Sequence, residues 1–240
     1  MQYHLAQLKA FCDAHPIDAK VLIVPTMTIG HDLTLALAAT GYSWLNLQIE
    51  TPRSLAEKDA SAHLIAEGHA RMAQDADLFY LDEIIPRAVR EIDDDYFAQQ
   101  ATALTRPFLR TLRVLRAAGL EPNSISEKGT RHQVLQRLYQ TYCATYERDN
   151  LYDNAVLYQH ALKHLTPPQN THYAILDETP LPKLAFDYLS EKTESYIYRI
   201  GRNNMGVSPP PHSAANALKK YPIPLPRAKS EWPETYSHPD

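Results

Sequence analysis

Residues 20–56 constrain the fold of this 240-residue chain more than any other stretch, because strand and helix signals alternate there at close spacing. Residues 21–24 are a short, mostly β-branched apolar run, which is typical of a strand buried on both faces. A helix-period segment over residues 29–39 and a second strand over residues 44–49 follow, and Thr51 is a suitable N-cap for the next helix. Strands joined by helical crossovers are parallel, so this stretch predicts a parallel sheet.

The alternation of strand and helix resumes near the end of the sequence. Residues 172–176 predict a third strand, residues 180–190 a helix, and residues 194–200 a fourth strand. The intervening sequence is strongly helical, so we predict an α/β fold with an inserted helical subdomain. The predicted parts are the first part of the α/β domain (1–77), the helical insertion (78–168), the second part of the α/β domain (169–204) and a proline-rich tail or linker (205–240).

Periodic apolar positions predict the other helices. The expected ranges are residues 2–14, 54–76, 78–92, 96–118, 131–148 and 153–165. Two of these ranges contain a proline, which removes a backbone donor and clashes with the preceding turn. We expect Pro86 to break its helix or to open a new first turn, and Pro107 to be a second break.

The composition excludes several classes of protein. With 44% hydrophobic residues the chain can bury a substantial core, and no apolar run approaches the roughly 20 residues that span a bilayer. The net charge of −4 gives no general attraction to nucleic acid, so any DNA contact has to be local. Two cysteines are too few for a disulfide framework or a thiolate metal cage. Since the N-terminus also lacks a signal-peptide pattern, we expect a cytoplasmic protein with no membrane partner.

The segment AILDE at residues 174–178 has the form of a nucleotide-hydrolase strand that delivers Asp177 and Glu178 at its carboxyl end. A similar run at residues 78–83 is better explained as part of a helix, because apolar positions continue beyond it. A working site also needs a GxxxxGK[ST] loop to hold phosphates, and the sequence contains none. We therefore interpret Asp177 and Glu178 as a degenerate Walker B-like pair, and we assign no catalytic residue, no ATP hydrolysis and no cofactor.

The order of these segments resembles that of the UvrD/Rep-type superfamily-one helicases. Residues 20–37 resemble the Ia strand and loop of that family, and residues 50–56, ETPRSLA, are similar to its Ib segment. Residues 176–189, LDETPLPKLAFDYL, resemble its second motif, and residues 195–201 the next strand. Over residues 2–204 the chain is most similar to the helicase-like N-terminal domain of AddB-type helicase–nuclease subunits. The resemblance implies a parallel sheet of the P-loop NTPase/helicase type without its Walker A loop.

Departures from the family pattern imply an inactivated helicase domain. The chain starts at the helix that should follow the phosphate loop, and residues 201–204, GRNN, replace the Gly-Asp and Gln expected after the fourth strand. In active relatives the Ia and Ib loops hold single-stranded DNA. Carried over by position, the DNA-binding candidates are Thr26, Met27, Thr28, His31, Thr51, Arg53 and Ser54. The alternative is that Thr26 and Thr51 only cap helices.

We therefore expect a non-catalytic, helicase-like domain of a DNA repair or recombination helicase–nuclease, acting as a scaffold or as a single-stranded DNA-binding surface. Its expected partners are single-stranded DNA and other subunits or domains of the helicase–nuclease complex. Two alternatives stay open. The chain could be the N-terminal part of a longer PD-(D/E)XK-type nuclease, or a protein-interaction module that uses its arginines and its tail.

Four arginines fall near one face of the helix predicted over residues 96–118. They are Arg106, Arg110, Arg113 and Arg116. Such a face could meet phosphates or an acidic partner, but a solvated face is the favoured interpretation.

Two further patterns are ascribed to ordinary structure. His160 and His164 are one helical turn apart, a spacing that metals use, but no carboxylate motif accompanies them. We therefore predict no metal site. Cys143 lies among helical aromatic residues and is expected to be a packed core thiol.

Overall fold

A computed structural model describes the chain over residues 2–73, 75–90, 95–125, 129–165, 170–193 and 197–201. Within these ranges the chain forms eight α-helices and six strands. The helices are α1 (Gln2–Ala14), α2 (Met27–Ala38), α3 (Pro52–Ala66), α4 (Ala76–Arg90), α5 (Asp95–Ala117), α6 (Thr130–Arg148), α7 (Asn154–Lys163) and α8 (Lys183–Lys192). The strands are β1 (Ala19–Ile23), β2 (Leu47–Glu50), β3 (Ala70–Arg71), β4 (Leu151–Tyr152), β5 (Thr171–Leu176) and β6 (Ile197–Ile200).

The central sheet contains four of these strands in the order β2-β1-β5-β6, and every neighbouring pair is parallel. Val21 of β1 pairs with Gln48 of β2 and with Tyr173 of β5, and Tyr173 pairs in turn with Ile197 of β6. The α/β class and the parallel sheet predicted from the sequence are therefore confirmed. Because β1 and β5 lie side by side, the sheet joins two distant stretches of the chain.

Helices cover both faces of the central sheet, as expected for strands whose successive side chains are apolar. On one face, Val21 and Ile175 pack with α3, α7 and α8. On the other face, Leu22 and Ala174 pack with α1 and α2. The two helical layers bury most of the inner strands β1 and β5, whereas the edge strands β2 and β6 stay partly exposed.

The helices α4, α5 and α6 form a separate hydrophobic cluster. Leu81, Ile85, Leu112 and Leu138 are fully buried in it. Residues 78–83 lie in α4, so the helical interpretation of that second Asp-Glu run is confirmed. The next helix, α7, packs against α3 and α8 in the layer that covers the sheet. The chain therefore returns to the sheet layer one helix before it enters β5.

Several predicted boundaries differ from the structure. The helix predicted over residues 54–76 begins at Pro52 and ends at Ala66. Gly68, two residues later, has a φ of 80° and turns the chain away from the helix. The chain then forms β3, which pairs with β4 in a two-stranded parallel sheet that the sequence did not predict. Two residues per strand are too few to produce a periodic signal.

The predicted breaks at Pro86 and Pro107 are wrong, because both prolines lie inside continuous helices. Each proline costs its helix a backbone hydrogen bond. The same helices bury Leu81, Ile85 and Leu112 completely. This packing outweighs the loss, since tertiary burial supplies most of the stability of helices in proteins.

Some predictions concern residues outside the described ranges. Residues 202–240 and 194–196 are among them, so the proline-rich tail, most of the GRNN segment and the start of the fourth strand stay predictions. Among the helices that the structure describes, none combines the length and apolar character that a membrane crossing requires.

α2 approaches the sheet very closely at Gly30. A Cβ atom added there would lie 2.3 Å from Cγ2 of Ile49 and 3.2 Å from Cγ2 of Val24. Carbon atoms in favourable contact are about 3.5–4.0 Å apart. The absence of a side chain at Gly30 is therefore what allows α2 to lie against β1 and β2.

We expect Gly30→Ala to lower the free energy of unfolding by about 1–3 kcal/mol, because the added carbon must push α2 away from Ile49. In an open helix the same change stabilises by about 1 kcal/mol, so the sign of the effect is diagnostic. Urea denaturation followed by circular dichroism measures it. Ile49→Ala removes the clashing methyl group, so the double variant should lose less than the two single losses combined. Strictly additive losses would refute the contact.

Candidate functional site

The parallel orientation of the central sheet places the carboxyl ends of its strands at one end of the sheet, here called the carboxyl edge. Thr26 precedes α2 shortly after β1, and Thr51 lies between β2 and α3. Asp177 follows β5, and Gly201 follows β6. The fold therefore brings the Walker B-like pair and both groups of DNA-binding candidates to the carboxyl edge.

The start of α2 holds four of the DNA-binding candidates. Thr26 is the N-cap, and its hydroxyl accepts a hydrogen bond from the backbone N–H of Ile29 at 3.4 Å. Met27, Thr28 and His31 are exposed on the adjoining turns. The free N–H groups and the dipole at a helix start favour an anion. The exposed side chains, and not the capping hydroxyl, are the groups best placed to meet one.

The other three candidates lie at the start of α3 and bond to the protein itself. Thr51 and Ser54 form a capping box, with a 3.0 Å bond from the Ser54 N–H to Thr51 Oγ1 and a 2.8 Å bond from the Thr51 N–H to Ser54 Oγ. The Ser54 hydroxyl also donates to the buried carboxylate of Glu50 at 2.6 Å. Arg53 donates from Nε to Glu57 at 2.9 Å. Thr26 and Thr51 therefore cap α2 and α3, which is the alternative to DNA contact predicted for them.

The carboxylate of Asp177 is engaged by its neighbours. Arg199 of β6 donates from Nε to Asp177 Oδ1 at 2.8 Å, and a Cβ atom at Gly201 would lie only 1.9 Å from Asp177 Oδ2. Glu178 is more exposed, and its Oε1 lies 3.2 Å from His4 Nε2. A cation at Asp177 would therefore have to compete with the guanidinium of Arg199.

A cleft of about 1110 Å³ lies between α5 and the elements α3, β3, β4 and α7. It is here called the arginine cleft, because arginines dominate its charged lining. The arginines are Arg53, Arg71, Arg106, Arg110, Arg113 and Arg116, and the carboxylates are Glu57, Asp75, Asp77 and Asp153. All four arginines that were predicted to share a helix face line this cleft, and one DNA-binding candidate, Arg53, lies opposite them.

Arg113 holds the carboxylate of Asp77 with two hydrogen bonds. Its Nε lies 2.8 Å from Asp77 Oδ2 and its Nη2 lies 2.7 Å from Oδ1, while Tyr142 donates to Oδ2 at 3.2 Å. Only 3% of the Asp77 surface is exposed. The hydrogen bonds to Asp77 raise the pKa of Arg113 above its ordinary value. The pair joins α4 to α5 and neutralises a carboxylate that would be costly to bury alone.

Arg116 joins α5 to the start of α7. It donates from Nε and Nη2 to the two oxygens of Asp153 at 2.5 and 3.1 Å, and Asp153 is the N-cap of α7. Burial lowers the pKa of Arg116. The hydrogen bonds and charge of Asp153 raise the pKa by more than burial lowers it, so the net shift is upward. Its Nη1 lies 3.3 Å from Sγ of Cys143, which is only partly buried and contacts this cation. Cys143 also packs against the hydrophobic cluster of α4, α5 and α6. The predicted packing of this thiol is therefore confirmed, although the thiol is only partly buried.

Arg106 and Arg110 differ from the other arginines of the cleft. Both are exposed, and within the described residues neither lies at ion-pair distance from a carboxylate. By contrast, Arg53 and Arg71 share Glu57 as a partner. The cleft thus contains two guanidinium groups whose charge is available to a ligand.

Sequence reasoning did not associate Arg71, Asp77 or Asp153 with this site. Arg71 lies in the two-residue β3, and the two aspartates have the pattern of ordinary carboxylates at helix starts. The one usable signal was the spacing of the arginines along α5. It indicates a charged face but not the surface opposite it.

We expect Arg113→Gln to lower the free energy of unfolding by about 3 kcal/mol, because it leaves the buried carboxylate of Asp77 without a cation. Arg110→Gln, one turn earlier on α5, should change it by no more than about 0.5 kcal/mol. Urea denaturation of the two variants measures the difference. Equal effects would show that the pair with Asp77 does not stabilise the fold.

No known protein family and no curated protein matches this chain.

Proposed function

We propose that this chain is a non-catalytic, helicase-like domain of a DNA repair or recombination helicase–nuclease, and that it binds single-stranded DNA along the arginine cleft. The observation that carries the proposal is the exposure of Arg106 and Arg110 without a carboxylate partner in the described residues. The parallel sheet, with helical elements inserted between β2 and β5, supports the helicase-like fold of the P-loop type. The partners are single-stranded DNA and the other subunits or domains of such a complex.

The arginine cleft differs in the sign of its charge from the whole chain. Six arginines and four carboxylates give its lining a balance of +2, whereas the chain carries −4. A single strand needs a positive groove that follows its phosphates, with or without aromatic platforms for its bases. The tyrosines in the lining, such as Tyr142 and Tyr146, are buried. This favours phosphate contacts over base stacking, and therefore binding without sequence preference.

The carboxyl edge provides a second set of contacts for the same strand. Arg53 belongs both to the start of α3 and to the lining of the arginine cleft. Single-stranded DNA bound in the arginine cleft therefore reaches the start of α3, which lies next to β2. Thr28 and His31 at the start of α2 are exposed donors on the neighbouring βα connection. In this proposal the capping hydroxyls of Thr26 and Thr51 orient the two helix starts.

The proposal assigns no ATP turnover to this chain. The sequence lacks a phosphate-binding loop, and the carboxylate of Asp177 bonds to Arg199. A carboxylate pair alone cannot hold a triphosphate, because the phosphates need backbone donors and a lysine.

We expect the purified chain to release no more phosphate from magnesium and ATP than its Asp177→Asn variant does. A colorimetric phosphate assay measures both rates. A wild-type rate well above background that falls in Asp177→Asn would contradict the non-catalytic assignment.

Fluorescence anisotropy with a labelled oligothymidylate, recorded over a salt series, tests the DNA role. We expect binding that weakens as salt rises, because each phosphate contact releases counterions. The double variant Arg106→Gln/Arg110→Gln should bind about tenfold more weakly at low salt. It should also lower the slope of log K against log salt by about 1.4, or about 0.7 for each lost contact.

Arg131→Gln is the matched control for these two substitutions. Arg131 is also exposed and helical, but it lies on α6 outside the lining of the cleft. We expect its substitution to leave the affinity and the salt slope unchanged. Absence of binding at low salt would refute the DNA role, and an equal loss in Arg131→Gln would refute the cleft as its site.

A further inference from the structure

The C-terminal ends of α3 and α7 bring together three side chains that the proposed DNA site does not use. Glu67 is the C-cap of α3, His160 lies in the last turn of α7, and His164 is the C-cap of α7. No carboxylate near the two histidines in sequence had suggested a metal site. The fold brings the carboxylate of Glu67 to the two histidines from a distant segment, because α3 and α7 are neighbours in the layer that covers the sheet.

The three side chains surround a space that suits one metal ion. His160 Nδ1 lies 3.7 Å from Glu67 Oε2, and His164 Nε2 lies 4.0 Å from Glu67 Oε1. These distances are too long for hydrogen bonds. One ligand atom from each residue lies within 4.8 Å of the other two. Four-coordinate zinc, with bonds of about 2.0–2.1 Å, holds neighbouring ligand atoms about 3.4 Å apart, so small side-chain rotations are enough to complete the site.

The nitrogens that face Glu67 are buried without a hydrogen-bond partner. His160 Nδ1 and His164 Nε2 each expose less than 1 Å², and neither bonds to another group in the described residues. A buried polar atom left unpaired costs free energy, and proteins normally pair it with a protein group, a water molecule or an ion. Burial also lowers the pKa of His160, and this favours the neutral imidazole, the form that binds metals.

Two further histidines fix the orientation of these imidazoles. His63 stacks on His164 with ring centroids 3.9 Å apart and ring planes at 9°. His69 meets His160 edge-on at 5.6 Å. These ring contacts limit the rotation of the two imidazoles, a role that outer hydrogen bonds usually fill in metal sites. The geometry therefore has a supporting layer as well as a ligand set.

We propose that Glu67, His160 and His164 bind one divalent transition-metal ion, with zinc as the best fit, and that the ion ties the end of α3 to the end of α7. Two imidazoles and one carboxylate are a zinc ligand set, whereas magnesium and calcium prefer oxygen ligands. Three protein ligands leave a fourth position for water. α3 has 15 residues, so the site is about 22 Å from Thr51 at the carboxyl edge. Metal binding is therefore separate from the proposed DNA contacts.

A second cluster, formed by His15, Asp18 and His172, competes for the same ion but is less suitable. The ammonium group of Lys20 donates to the backbone carbonyls of His15 and Asp18, and a fixed cation repels a metal ion nearby. The imidazoles of His15 and His172 also stack with centroids 3.5 Å apart. The two ring planes are nearly parallel, at 16°, so one ion bound to both rings would have to lie out of the plane of at least one of them.

Titration calorimetry of the metal-free chain with zinc chloride, together with thermal denaturation, tests the proposal. We expect about one equivalent of zinc to bind, and the thermal midpoint to rise by about 5–10 °C at a free zinc concentration of about 100 times Kd. His160→Gln and His164→Gln should each weaken binding about tenfold or more and reduce the rise in midpoint. His172→Gln, the matched control from the second cluster, should leave both unchanged.

Cobalt(II) in place of zinc gives a readout that does not depend on stability, because its visible absorption reports the coordination geometry. We expect a four-coordinate spectrum from the wild-type chain, and a changed or absent one from Glu67→Gln, whose half-exposed side chain can be replaced without opening the core. Equal zinc binding by all variants would overturn the proposal. So would loss of binding in His172→Gln alone, or a cobalt spectrum that Glu67→Gln leaves unaltered.

Discussion

The position of β1 between β2 and β5 is the constraint on which the rest of the structure depends. Leu22 and Ile23 are both fully buried, and they point to opposite faces of the sheet. A shift of one residue in pairing would exchange the helical layers that the two side chains contact, so burial on both faces fixes the register. β2 and β5 come from distant segments of the chain, and both pair with β1. The position of β1 therefore sets where the carboxyl ends of both strands lie. It thereby determines which loops share the carboxyl edge.

α3 belongs to both candidate sites, and a buried polar network holds it in place. Lys192 of α8 donates to both oxygens of Asp59 at 2.8 Å, and Tyr188 donates to Asp59 at 2.7 Å. Only 7% of the Lys192 side chain is exposed, so separation from Asp59 would remove the carboxylate that balances a nearly buried positive charge. The network thus fixes how α3 is rotated against α8. With this rotation set, one end of α3 presents Arg53 to the arginine cleft and the other presents Glu67 to the histidines.

The sequence predicted the features that local chemistry decides. The apolar runs of β1 and β5 predicted buried parallel strands, and Thr51 before Pro52 predicted a helix start, because side-chain branching and capping act within a few residues. Predictions failed where packing competes with local preference, as at Pro86. Neither the arginine cleft nor the position of Glu67 beside the histidines could be predicted, since each depends on how distant helices pack. The spacing of residues along the sequence can reveal two metal ligands on one helix, but it cannot reveal a third ligand on a neighbouring helix.

The charges of the arginine cleft are unevenly placed, and this limits how a phosphate chain could lie in it. Arg53 and Arg71 share the single carboxylate of Glu57 and so keep a surplus positive charge. Arg113, in contrast, meets both Asp75 and Asp77, where the local balance is negative.

The positive surplus is therefore divided between the exposed pair on α5 and the arginines near the start of α3. Since phosphates are repelled by Asp75 and attracted by these two groups, the favoured path crosses from Arg106 and Arg110 toward Arg53 and Arg71. The ion pairs that hold α4 and α7 against α5 use Arg113 and Arg116 instead. In the proposed complex, the arginines of α5 that contact phosphates are therefore not the ones that stabilise the fold.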